Sequence, residues 1–177
     1  MTTIRKSAGF ALLDLVFVCG IIGLISSIAV PRLLLAKQAA GAASAIGTLR
    51  TVSSAELTFA LTCGSGFYAP TLTVLGTAPP GSNEPFVGGG MGDADIVQKS
   101  NYKFRLDAAP FAGAPASCNG LGPGLTGRGY AVAADPIGAG NPRFFGTNSN
   151  AQLWEHNATL WSDMPEAGDS PIGSVLR

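Results

Sequence analysis

Residues 10–30 form an apolar run broken by one acid, Asp14, and closed by Pro31. A basic leader carrying Arg5 and Lys6 precedes it. As a helix, this run of about 21 residues spans roughly 30 Å, the thickness of a bilayer core. A carboxylate costs about 2.5–3.5 kcal/mol at the centre of such a helix and less near its end. Asp14 stands just over one turn inside, so a compensating partner is expected. Positive charge ahead of the run keeps the leader cytoplasmic and places the rest of the chain on the other side. A secretory signal is the first alternative, but it carries an apolar core of about 7–15 residues followed by a small-x-small site. Here the run is longer, and the small residues Ser7, Ala8 and Gly9 come before it. A lipoprotein signal ending at Cys19 is the second alternative. Against it, Val18 is not small, and Ile21, Ile22, Leu24 and Ile25 continue the apolar core.

Together, Gly9-Phe10-Ala11-Leu12-Leu13-Asp14-Leu15 and Pro31 resemble the N-terminus of type IV pilins and of type II secretion pseudopilins. The resemblance implies that a prepilin peptidase cuts after Gly9 and methylates the new terminal residue, Phe10. It implies that Asp14, standing where the family usually has Glu, meets the terminal amine of a neighbouring subunit, and that Pro31 kinks the helix. An acid in an apolar helix does need a cation, and cleavage would release one. The acid snorkelling to the membrane interface is the alternative.

The chain has 177 residues, enough for one domain and an anchor, and its formal net charge is zero with 12% charged residues. That balance shows no electrostatic footprint for nucleic acid. Most of the 24 glycines and 12 prolines follow Cys63, which points to a loop-rich, β-containing head. Cys19 lies in the apolar run and reads as a small apolar side chain. Cys63 and Cys118 would both reach an oxidising compartment, where they can pair. Closing a loop of about 56 residues contributes about 4 kcal/mol by chain entropy. A metal is the competing use, but the distant His156 and the absence of CxxC or HxxxH spacing argue against it.

Beyond Pro31 the helical signal continues to Leu61. Ala45, Leu49, Val52, Glu56 and Phe59 fall at spacings of three and four, and Cys63 extends the row toward a sheet. Gly41 and Gly47 are the weak spots. Gly64 and Gly66 end the helix. Residues 68–92 read as loop and 93–99 as a short helical turn. Strands are expected at 101–107, 130–135, 143–147 and 152–155, the last two joined by a tight turn at 148–150. The tail beyond Trp161 reads as irregular. With Lys99-Ser100-Asn101-Tyr102-Lys103-Phe104, Gly129-Tyr130-Ala131-Val132-Ala133-Ala134-Asp135-Pro136 and Phe144-Phe145-Gly146-Thr147-Asn148-Ser149-Asn150, this half is similar to G/H-type pilin-like proteins. The fold class is therefore α+β, a long N-terminal helix packed on a roughly four-stranded antiparallel sheet. Its parts are a leader (1–9), a transmembrane or filament-core segment (10–31), an amphipathic half (32–62) and a head (63–177).

Chemistry is sparse. Gly122-x-Gly124-x-x-Gly127 matches a dinucleotide fingerprint in letters, but no strand precedes it and Pro123 lies inside it. His156 has no GxSxG or other nucleophile motif beside it. Asp93 and Asp95 could hold calcium in their glycine-rich loop; a solvated acidic turn is the simpler reading. Asn157-Ala158-Thr159 is a glycosylation sequon by pattern. Trp154 and Trp161 read as packed against the sheet, with an exposed contact surface as the alternative. No cofactor, metal or catalytic residue is expected. The resemblance implies a non-enzymatic subunit of a helical homo-oligomer, made from an inner-membrane precursor by prepilin peptidase and a pilus or type II secretion machinery. An adhesive or motility pilus and a periplasmic pseudopilus are both open. The rival from another class is an anchored periplasmic binding domain or hydrolase that never polymerises.

Overall fold

The computed structural model describes residues 8–138 and 141–176. The chain divides into two compact units, Met1–Ala40 and Gly41–Arg177. One helix, α1 (Ala8–Thr62), supplies the described part of the first and the spine of the second. It runs through Pro31 without a break. Proline removes one helical hydrogen bond, and the strong formers Leu33 to Ala36 resume the helix at once.

In the second unit the row Ala45, Leu49, Val52, Glu56, Phe59 and Cys63 is buried throughout, as its spacing predicts. On the outer side the hydroxyls of Thr51, Ser54, Thr58 and Thr62 bond back to carbonyls four residues earlier at 2.7–3.0 Å. The helix ends where Cys63 and Gly64 both donate to the Phe59 carbonyl. Ser65 and Gly66 then turn the chain at φ 53° and 91°, backbone that the expected glycine punctuation helps to supply.

The sheet is an antiparallel meander of six strands, not four, in the order β1 to β6. Four lie where the pattern placed them: β2 (Tyr102–Asp107), β3 (Ala131–Pro136), β4 (Phe144–Asn148) and β5 (Leu153–His156). The other two are its edges. β1 (Ile96–Lys99) occupies the stretch expected to be a helical turn. It closes on β2 through Ser100 and Asn101, both at positive φ, with Lys99 opposite Tyr102. Two positive φ values in a two-residue loop match the twist of a hairpin, and the β-branched Ile96 and Val97 suit a strand better than a helix. β6 (Ser174–Val175) comes from the tail read as irregular and pairs with Trp154 and Glu155. A one-turn helix, α2 (Leu72–Leu75), also sits within the expected loop and buries both of its terminal leucines.

Tyr102, Phe104 and Leu106 of β2, Val132 and Ala134 of β3 and Phe145 of β4 face the helical row in the main core. The opposite face is covered too. Ala133, Trp154, Leu160 and Met164 form a second cluster with Trp161 and Ile172 against it. Gly146 makes this possible, since a Cβ there would meet Leu160 and Met164 at 3.2 Å. Gly41 likewise has a structural use, as the Ser100 carbonyl lies 3.0 Å from where its Cβ would be. Ser44 bonds to Ser100 at 2.8 Å beside it. Replacing Gly41 by leucine should therefore unseat the β1–β2 turn and speed amide exchange in residues 96–102 by about tenfold; unchanged exchange would count against this seating.

Candidate functional site

The apolar stretch of α1 is the first candidate. Every side chain described from Leu12 to Leu35 is exposed within the chain, with Leu13 at 70% and Leu24 at 71%. The helix is long and apolar enough to cross a membrane. A contiguous apolar surface of this size marks a membrane or a protein interface. The Ser27 hydroxyl bonds to the Leu24 carbonyl at 2.8 Å, so its polar group is satisfied inside the helix, as an apolar surrounding demands. Asp14 is exposed, and among the described residues it has no ion pair or hydrogen-bond partner. Cys19 is a free, exposed thiol on the same stretch. Gly9 and Phe10 lie in the first turns of α1. Residues 1–7, most of the expected leader, lie outside the described residues.

The second candidate lies in the head. Glu56, the one acid in the buried row, is 0% exposed. Its Oε2 accepts the Ala69 amide proton at 2.9 Å, and its Oε1 is buried without a partner. Burial pushes the Glu56 carboxyl up to about 8, against which the Ala69 hydrogen bond works only partly. Tyr130, just before β3, is pushed up to about 12, mainly by burial, and it feels the charge of Glu56. Tyr68 packs edge-on against Tyr130 with ring centroids 5.0 Å apart. The row at i, i+3, i+4 contained this signal: an acid among apolar side chains. Its bonding partner was not visible there, since Ala69 lies beyond the helix.

Cys63 and Cys118 form a disulfide, and the Cys118 amide bonds to the Cys63 carbonyl at 3.1 Å. The remaining candidates are scattered. Asp95 accepts a hydrogen bond from the Thr73 hydroxyl and so ties its loop to α2. Asp93 is exposed. Among the described residues no group of three or more His, Cys, Asp or Glu side chains could hold a metal ion. His156 ends β5 and takes the Ala158 amide on Nδ1 at 3.1 Å. Asn157 is exposed in the turn that follows. Trp154 is buried on the second sheet face, where Trp161 lies under the Arg105 guanidinium, 5.8 Å from the ring centroid. Gly122, Gly124 and Gly127 lie in loop, and Gly127 bridges to Tyr68 and Pro110. Arg143 grips Glu155 with two parallel bonds, at 2.5 and 3.0 Å, across β4 and β5.

Compared with protein-family profiles, curated proteins and solved structures, the chain has no match in any of the three.

Proposed function

We propose that this chain is the structural subunit of a type IV pilus-like filament. The observation that carries the reading is the exposed apolar stretch of α1 from Leu12 to Leu35, whose acid Asp14 has no partner among the described residues, continuous with the helix that forms the spine of the head. The precursor sits in the inner membrane with residues 1–9 cytoplasmic and the head periplasmic. Prepilin peptidase cuts between Gly9 and Phe10 and methylates Phe10. The freed amine of one subunit then neutralises Asp14 of another, and Pro31 bends the rod. Residues 10–62 bundle into a helical homopolymer that an assembly machinery extrudes. Three features support this. Neighbouring helices can replace lipid around the stretch, and Ala29, Ala36, Ala39 and Ala40 permit close approach. The acid has a stated use in the polymer and no partner among the described residues of the single chain. The disulfide belongs to an oxidising compartment, on the far side of the membrane from the leader.

Intact-mass measurement of native material should give a chain beginning at Phe10 and heavier by one methyl group. A chain beginning at Met1 would overturn the reading. Asp14→Ala should leave membrane insertion intact and cut filament yield about tenfold or more, the effect of losing roughly 1.4 kcal/mol per contact. Normal filaments from that variant would remove Asp14 from assembly. Filaments confined to the periplasm would identify the polymer as a pseudopilus.

A further inference from the structure

Glu56 is a group that filament formation does not use. It is fully buried in the row that faces the sheet, and among the described residues its carboxyl takes one hydrogen bond, from the loop that follows the helix. That loop starts at the disulfide, turns at Ser65 and Gly66, and reaches the fully buried Ala69. A second anchor lies beside it, where Tyr68 and Gly127 exchange backbone bonds at 2.9 and 3.0 Å. We propose that Glu56 is a proton-operated latch of the head: while it carries its proton, the carboxyl tolerates its burial and the 64–70 crossing stays seated over it; when it ionises, the buried oxygen without a partner must reach water, and the crossing opens to let it. A buried carboxylate with one oxygen unpaired is costly in a way that its neutral form is not. The crossing is the cover that can move, because it meets Glu56 through Ala69 and its turn at Ser65 and Gly66 is already exposed.

The groups facing Glu56 do not compensate its charge. Tyr130 from the approach to β3 stays neutral across the relevant range, and Tyr68 stands beside Tyr130 in the loop itself. The folded state holds the Glu56 proton up to about pH 8, whereas the ordinary value is 4.5. Between those values the native chain binds more protons than the unfolded one, so stability falls as pH rises through the window and levels off above it. This goes beyond the filament reading and does not depend on it.

The test uses the full chain in detergent, wild type and Glu56→Gln, which keeps an acceptor for Ala69 and cannot ionise. The melting temperature of the wild type should drop by about 10 °C between pH 5 and pH 8.5, the scale expected for a shift of this size in a chain of this length. Amide exchange in residues 64–70, normalised to the unfolded chain, should rise about tenfold or more over the same interval. Glu56→Gln should be flat in both. If the variant shows the wild-type pH dependence, the latch is wrong. Should Glu56→Gln fail to fold, wild type with ¹³C-carboxyl label in glutamate alone decides the matter. One glutamate must titrate near pH 8, and titration of all of them in the ordinary carboxylate range would overturn the proposal.

Discussion

Replacing Cys63 and Cys118 together by alanine is expected to lower the unfolding free energy of the head by about 4 kcal/mol, the chain-entropy value for a loop of this length. The bridged residues are 55 apart in sequence. Against a typical total of about 5–15 kcal/mol, that is a large share. The loss should not be spread evenly. Residues 111–127 hold themselves together through Phe111 to Thr126, Ala114 to Phe111 and Gly124 to Ala114. The disulfide and the Cys118–Cys63 backbone bond, which it keeps in register, tie this loop to the helix end, beside the Tyr68–Gly127 bonds and the Phe67–Phe111 stack that seat it on the 64–70 crossing. Strands β2 to β4, by contrast, are paired on both sides and pack on the helical row, and β3 is covered on its other face as well. Reduction should therefore lower the melting temperature by about 10 °C and raise exchange in 111–127 well before the central strands. A melting point unmoved by reductant would mean that the loop is held by its own bonds and that the cross-link adds nothing.

The long helix and β2 were legible because each carries a sustained period, and β3 to β5 because they are short apolar or aromatic runs bounded by Pro136 and by the turn at 148–150. Ala45 to Cys63 repeat at three and four over five turns, and Tyr102 to Asp107 alternate cleanly between core and surface. The edges were not legible, for physical reasons. β6 has two residues, too few to show a period, and exists because Leu153 to Glu155 offer it a free ladder. β1 was hidden by its turn. Ser100-Asn101 adopts the geometry usually taken by Asn-Gly, and no glycine marks it. Of the segment that covers the second sheet face only Trp161 was read as packed; Leu160 and Met164 were not, because they fall in an irregular stretch with no period to mark them.

The candidate sites divide in the same way. An exposed apolar helix with an isolated acid is a property of composition and can be read from order alone. Glu56 was readable as an exception in its row, yet a single acid at a helix–sheet seam can equally lean out to solvent. Its burial follows from Ala69 and the Tyr68–Tyr130 pair, which the turn at Ser65 and Gly66 brings back over the helix. Tertiary closure, not local pattern, made that site.

Alanine at Gly76 or Gly92 should be among the most damaging single substitutions in the head. The two glycines touch backbone to backbone. A Cβ on Gly76 would lie 2.5 Å from the Gly92 Cα, and one on Gly92 would lie 2.2 Å from the Gly76 Cα. Neither clash can be relieved by turning a side chain. Gly76 has φ −75°, which any residue adopts, so its cost is purely steric. Separating the two segments would pull Leu72, Leu75, Val87 and Met91 out of the main core, and with them the Val87 to Leu75 backbone bond of 3.2 Å. Overpacking of this kind costs about 1–3 kcal/mol when side chains can shift, and the upper end applies where backbone must move. Gly88 supplies the control, since a Cβ there meets nothing within 4 Å. Gly88→Ala should stay within about 0.5 kcal/mol of wild type in a denaturant titration, while Gly76→Ala falls about 3 kcal/mol below it. Equal midpoints for the two variants would show that the 76–92 contact yields freely, and that the stretch read as loop is loop in its packing as well.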